Sequence, residues 1–214
     1  MINKLLPWLA LAALIPAAHA QDADAGRAKA AMCIGCHGIE GYQNSFPEVH
    51  KVPMISGQNA GYIGAALQAY RSGERRHPTM RGIARGLSDK DMADLAAFYE
   101  RDGAAHARSK AAPARQPSAR VAELLTNGAC ASCHGEDLTQ PVDPSYPRIA
   151  GQHADYLFVA LRAYQVQDAR VVGRDNAIMS GIAGQFTAAE LRLIAEHIGA
   201  LPGSLRTVPQ SRMR

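Results

Sequence analysis

Four cysteines stand in two like settings, Cys33-Ile34-Gly35-Cys36-His37 and Cys130-Ala131-Ser132-Cys133-His134, each a pair two residues apart followed directly by histidine. On one helical turn this spacing presents both sulfurs to the vinyl groups of a haem, and the adjacent histidine points an imidazole nitrogen at the iron. That is the covalent attachment pattern of c-type haem. The rival chemistries are a thioredoxin-like redox pair, a zinc site and a disulfide. A redox pair wants a strand-helix-strand context, which the sequence lacks, and a zinc site drawn from both pairs has to bridge two separated halves of the chain. Two copies that use every cysteine favour two covalently attached haem c groups, each holding iron.

An iron held by one histidine needs a sixth ligand, and its identity separates electron transfer from catalysis. After the second motif there is no lysine, and the methionines are Met179 and the terminal Met213. In the first half Met54, Met80 and Met92 compete. Met80 aligns with Met179, whereas Met54 aligns with Arg148 and Met92 with Leu191, on an apolar stripe where methionine is ordinarily core. Histidine is the alternative ligand. His77 aligns with Asn176, His153 with Asn59 and His197 with Phe98, and His50 has no counterpart, so none of these four is kept in both halves. The expected ligand sets are His37 with Met80 and His134 with Met179. The soft thioether favours the reduced iron and raises the potential, and an iron with both axial positions filled has no place for a substrate. The expected role is single-electron transfer without catalysis; a dihaem peroxidase needs one open iron, against which the matched methionines argue.

These residues recur because the chain contains itself twice. Pro53-Met54-Ile55-Ser56-Gly57-Gln58 is matched by Pro147-Arg148-Ile149-Ala150-Gly151-Gln152, Tyr62 by Tyr156, and Tyr70 by Tyr164, in the same order as the motifs. Between Tyr164 and Met179 the second copy is longer, through residues including Val171, Val172 and Gly173. The expected division is a first domain over residues 21–102, a linker rich in Ala, Pro, Ser and Arg over 103–118, a second domain over 119–203 and a basic tail over 204–214.

The elements that carry the motifs read as helices. Asp24 to Met32 is rich in alanine, and Gly61 to Tyr70 has Ile63, Leu67 and Tyr70 near helical spacing. Ser88 with Asp91 forms a capping-box start ahead of the stripe Met92, Leu95, Ala96 and Tyr99, and Thr187 with Glu190 repeats it ahead of Leu191, Ile194 and Ile198. Each half is therefore expected to be a small all-helical unit. Tyr62, Tyr70, Tyr156 and Tyr164 lie on these helical patterns as core or interface residues, or else as propionate ligands. Arg71 and Arg75 either meet propionates or are solvated.

Residues 1–20 read as an export signal: Lys4 precedes an apolar stretch from Leu5 to Ile15, and small residues flank a cleavage point after Ala20. The stretch falls short of the roughly 20 apolar residues a spanning helix needs, and Pro7 and Pro16 interrupt it. A periplasmic location is expected. The formal net charge of +4 is modest. Its basic residues gather mid-chain and in the tail as solvated charge, with no concentrated basic face for nucleic acid.

The sequence resembles the dihaem cytochrome c4 family over essentially the whole mature chain. The two CxxCHG motifs carry the resemblance, with the runs from Tyr146 to Tyr156, Tyr70 to Arg75 and Leu87 to Tyr99. It implies an all-α protein of two tandem class I cytochrome c domains related by a pseudo-twofold axis, with both haems His/Met ligated. It further implies that the carbonyls of Pro53 and Pro147 bond the second ring nitrogens of His37 and His134, and that Ile55 and Ile149 pack on the haem faces. Expected partners are redox proteins: a quinol-cytochrome c reductase, a terminal oxidase or a dehydrogenase, with membrane-surface association only through them. The alternative is the dihaem subunit of a periplasmic flavoprotein dehydrogenase of the sulfide dehydrogenase type.

Overall fold

A computed structural model describes residues 21–106, 116–166 and 169–209. The expected export signal, most of the linker and the last tail residues lie outside the described residues. The first half contributes α1 (Ala23–Lys29), α2 (Ala31–His37), β1 (Gln43–Asn44), β2 (His50–Lys51), α3 (Ala60–Ser72), β3 (Arg75–Arg76), α4 (Pro78–Arg85) and α5 (Asp89–Ala105). The second contributes α6 (Ala119–Asn127), α7 (Cys130–His134), α8 (Ala154–Gln165), β4 (Gly173–Arg174), α9 (Ala177–Ala183) and α10 (Ala188–Ala200). No helix among the described residues is long and apolar enough to cross a membrane.

Each half has its own core. In the first, Met92, Leu95, Ala96 and Tyr99 on α5 are buried with Ile63 and Tyr70 of α3, and each large side chain so buried stabilises the fold by about 1.5–3 kcal/mol. In the second, Leu191, Ile194 and Ile198 on α10 are buried with Leu157 and Phe158 of α8. Both capping boxes are present, Ser88 with Asp91 and Thr187 with Glu190, and they fix where the two long helices begin. The expected helix from Asp24 to Met32 is divided at Ala30, so α1 crosses α5 while α2 turns away with the cysteines. The crossing depends on Gly26, where a Cβ would lie 2.0 Å from the Asp94 carbonyl oxygen.

Helix α5 runs on through Gly103 to Ala105, past the point where the linker composition begins. The reason is packing: a Cβ on Gly103 would lie 1.9 Å from the Gly57 nitrogen, so glycine lets the helix end seat on that loop. The tail differs from a solvated segment too. Leu205 and Val208 are buried, and the Arg206 N–H donates to the Ser56 carbonyl at 2.9 Å, so the second half returns onto the first.

Among the further connections that join the halves, three stand out. Strands β3 and β4 pair antiparallel with Arg75 opposite Arg174 and Arg76 opposite Gly173. Asp155 accepts from both the backbone N–H and the ammonium of Lys51, at 3.1 and 3.2 Å. The last is a reciprocal pair of glutamines. Gln58 donates to the Arg148 carbonyl at 2.9 Å and accepts from the Arg148 N–H at 2.8 Å; Gln152 donates to the Met54 carbonyl at 2.9 Å and accepts from the Met54 N–H at 3.0 Å. Positions 54 and 58 are the repeat equivalents of 148 and 152, so these bonds express the pseudo-twofold relation directly.

Candidate functional site

Helices α2 and α7 each place two cysteines and a histidine at positions i, i+3 and i+4, the spacing that brings side chains to one face. All four cysteines are free. Burial pushes the Cys33 and Cys130 thiols up, the reverse of the lowered pKa that marks a reactive redox thiolate. Among the described residues no cluster of three or more His, Cys, Asp or Glu side chains is arranged to hold a metal ion.

The Pro53 carbonyl lies 2.9 Å from Nδ1 of His37, and the Pro147 carbonyl lies 2.9 Å from Nδ1 of His134, as the resemblance implied. The carbonyl fixes the proton on Nδ1 and leaves Nε2 with its lone pair for a metal. Burial lowers the pKa of both imidazoles, outweighing the carbonyl bonds that raise it, so the rings are held neutral as ligands must be.

Met80 and Met179 each stand in the first turn of a short helix, α4 and α9. His77 caps α4 by accepting from the Met80 N–H at 3.4 Å, and Asn176 caps α9 by accepting from the Met179 N–H at 2.9 Å. One continuous cavity of about 630 Å³ is lined by all eight sequence-identified residues: Cys33, Cys36, His37 and Met80 with Cys130, Cys133, His134 and Met179. Ile55 and Ile149 line it as well. Met92 does not; it is buried in the α5 core. Of the rival histidines, His50 and His77 line the cavity. The His50 Nδ1 bonds the Glu48 carbonyl, and both ring nitrogens of His77 are engaged, by Asn44 and by the α4 cap.

Residues outside the sequence-derived set complete the cavity where the halves meet. Arg75 donates to the Tyr62 hydroxyl at 3.1 Å and to the Tyr156 hydroxyl at 2.7 Å, and Arg174 donates to the same Tyr156 hydroxyl at 3.1 Å. Burial would raise the Tyr156 phenol, but the two guanidiniums overcome it and pull the pKa down. Arg71, by contrast, faces away and pairs with Asp89 at 2.5 Å. A sequence signal for Arg174 was present: it stands as far before Met179 as Arg75 stands before Met80.

The donor set fits a haem in each half. Paired thiols, a neutral imidazole with a fixed tautomer and a thioether surround one cavity whose walls are largely apolar, and the arginines that line it include Arg75, Arg76 and Arg148, each with a buried Nε that has no hydrogen-bond partner. An anionic, apolar macrocycle satisfies each of these features.

The comparisons agree. The cytochrome c family model matches residues 23–100 and 118–202, one match for each half. A cytochrome c4 of Pseudomonas aeruginosa is 31% identical over 207 residues, covering 94% of this chain and 100% of its own. A thiosulfate dehydrogenase electron acceptor of Stutzerimonas stutzeri is 34% identical over 210 residues, covering 89% and 92%. The crystal structure of reduced recombinant cytochrome c4 from Pseudomonas stutzeri superposes with a TM-score of 0.60 at 25% identity, over 85% of this chain and 100% of that one. With both halves matched and the interface built on their equivalence, this chain belongs to the cytochrome c4 family, electron-transfer proteins whose two cytochrome c domains each carry a covalently bound haem c.

Proposed function

We propose that the protein is a periplasmic electron carrier. It takes single electrons from a respiratory donor such as a quinol-cytochrome c reductase and passes them toward a terminal oxidase, with no catalysis of its own. Its haem units are the stretches 21–102 and 119–203, exported by residues 1–20. His37 and Met80 hold one iron, and His134 and Met179 hold the other. When bound, haem supplies a one-electron iron couple that a thioether ligand poises toward high potential.

The observation that carries the proposal is the lining of one cavity by a fixed imidazole and a helix-mounted thioether from each half. The chain's residues do the rest. Pro53 and Pro147 orient the imidazoles, and the α4 and α9 caps hold the thioethers. Aliphatic walls from Ile63, Leu67, Leu157 and Leu161 exclude water and limit rearrangement during transfer. Met32, Tyr42 and Ile178 line the cavity yet remain exposed, giving an apolar rim where a redox partner can approach.

A second reading is favoured by the likeness to a thiosulfate dehydrogenase electron acceptor: this protein receives electrons from a sulfur-compound dehydrogenase. Stopped-flow mixing separates the two. The reduced protein should be oxidised rapidly by membranes holding a terminal oxidase, with no consumption of hydrogen peroxide. Rapid reduction by a thiosulfate dehydrogenase with substrate, and slow reaction with the oxidase, would select the second reading. Peroxide turnover by the intact protein would overturn both.

A further inference from the structure

Arg75 and Arg174 are repeat equivalents that meet across the β3–β4 pairing, one from each domain. Both line the cavity that the two haem motifs share. Neither pairs with a carboxylate among the described residues. The acid beside them, Asp175, is taken by Arg76. Their partners are instead phenols and ring faces. Tyr62 and Tyr156 accept hydrogen bonds, Arg75 stacks on Tyr70 at 4.6 Å, and Arg174 stacks on Tyr164 at 5.3 Å.

Two half-buried guanidiniums joined through one hydroxyl repel each other, and no carboxylate among the described residues balances them. A phenol offers one acceptor oxygen, whereas a guanidinium is a planar fork suited to carboxylate. The buried Nε of Arg75 remains without a partner. The anions proper to this cavity are the propionate carboxylates of haem, which the cofactor assignment places in both halves.

We propose that Arg75 and Arg174, linked through Tyr156, form one shared anion seat that holds propionate carboxylates from both haem sites and so sets the potentials of both together. A cation beside a haem favours the reduced, more negative state, so each arginine holds both potentials up. Because the seat is built at the domain join, removing either arginine is felt on both sides.

The test is potentiometry on the fully loaded Arg75→Gln and Arg174→Gln variants, with haem counted per chain so that loss of the cofactor is read separately. Each variant should lower both midpoint potentials, and Arg75→Lys and Arg174→Lys should return both most of the way. Arg101→Gln, which removes an exposed arginine paired with Asp24, should change neither. A shift confined to the mutated domain, no shift, or a Lys variant no better than Gln would overturn the shared seat. If the Gln variants do not accumulate, the Lys variants decide: a small shift in both potentials supports the seat, and a shift in one or in neither refutes it.

Discussion

Gln58 and Gln152 each bracket the backbone of one residue of the opposite domain, donating to the carbonyl and accepting from the N–H of Arg148 and Met54 respectively. Both glutamines are 4% exposed, so these four bonds are made away from water. They also sit just beyond the Pro53 and Pro147 carbonyls that fix the haem histidines. The contact that joins the domains and the contact that orients the ligands are therefore on the same two loops.

Truncating either glutamine should loosen the join more than it unfolds a domain. Gln152→Ala orphans the N–H and carbonyl of Met54, at about 1–3 kcal/mol for each group that stays buried. Denaturant unfolding followed at both haems should lose coincidence between the domains, and protease should cut nearer the linker. Coincident, unshifted transitions would show that the clamp contributes nothing.

The methionine assignments predict a spectroscopic division. Met179→Ala should remove about half of the weak red absorption that reports thioether bonding to oxidised iron and lower one of the two potentials, and Met80→Ala should remove the other half. An intact band in either single variant would return the sixth ligand to a histidine.

That the paired cysteines, histidines and methionines would line one cavity was legible in the sequence because duplication tests each position twice: residues of a shared site recur, and packing residues such as Met92 need not. The helices followed from capping boxes and apolar stripes. The join did not follow, for physical reasons. Gln58 and Gln152 recur in both copies, but a glutamine carries no sign that its partner is backbone in another domain. The Arg75 guanidinium crosses to Tyr156 of the other domain and meets Arg174 there, so either arginine read alone is indistinguishable from one paired at the surface like Arg71. Leu205 and Val208 lie in a short segment without periodicity, and only the groove they enter identifies them as buried.

The caps on α4 and α9 should govern how firmly the thioethers are held. Asn176→Ala removes an N-cap worth about 1 kcal/mol. If the loss passes fully to the ligand, exogenous imidazole should displace Met179 about fivefold more readily, while displacement at Met80 is unchanged. Equal displacement in parent and variant would show that the cap does not bear on the iron ligand.

Acid should destabilise the first domain through Asp94. Asp94 is fully buried; burial raises its pKa, but Lys90, the Asp22 N–H and Lys29 outweigh this and leave it below the ordinary carboxylate value. A depressed folded pKa means that the contribution is complete at neutral pH and is lost as pH falls through the carboxylate range. The equivalent position in α10 is Leu193, which is exposed. Unfolding of the first domain should therefore steepen with acid, and Asp94→Asn should flatten that dependence by removing the contribution at neutral pH. An acid dependence unchanged by Asp94→Asn would contradict the assignment.

The most direct test of the account as a whole is a redox titration of the loaded protein followed by visible spectroscopy. Two one-electron couples are expected, with the thioether band present at full strength for both irons in the oxidised state and unchanged by hydrogen peroxide. A single couple, or an oxidised iron that lacks the band and reacts with peroxide, would contradict it.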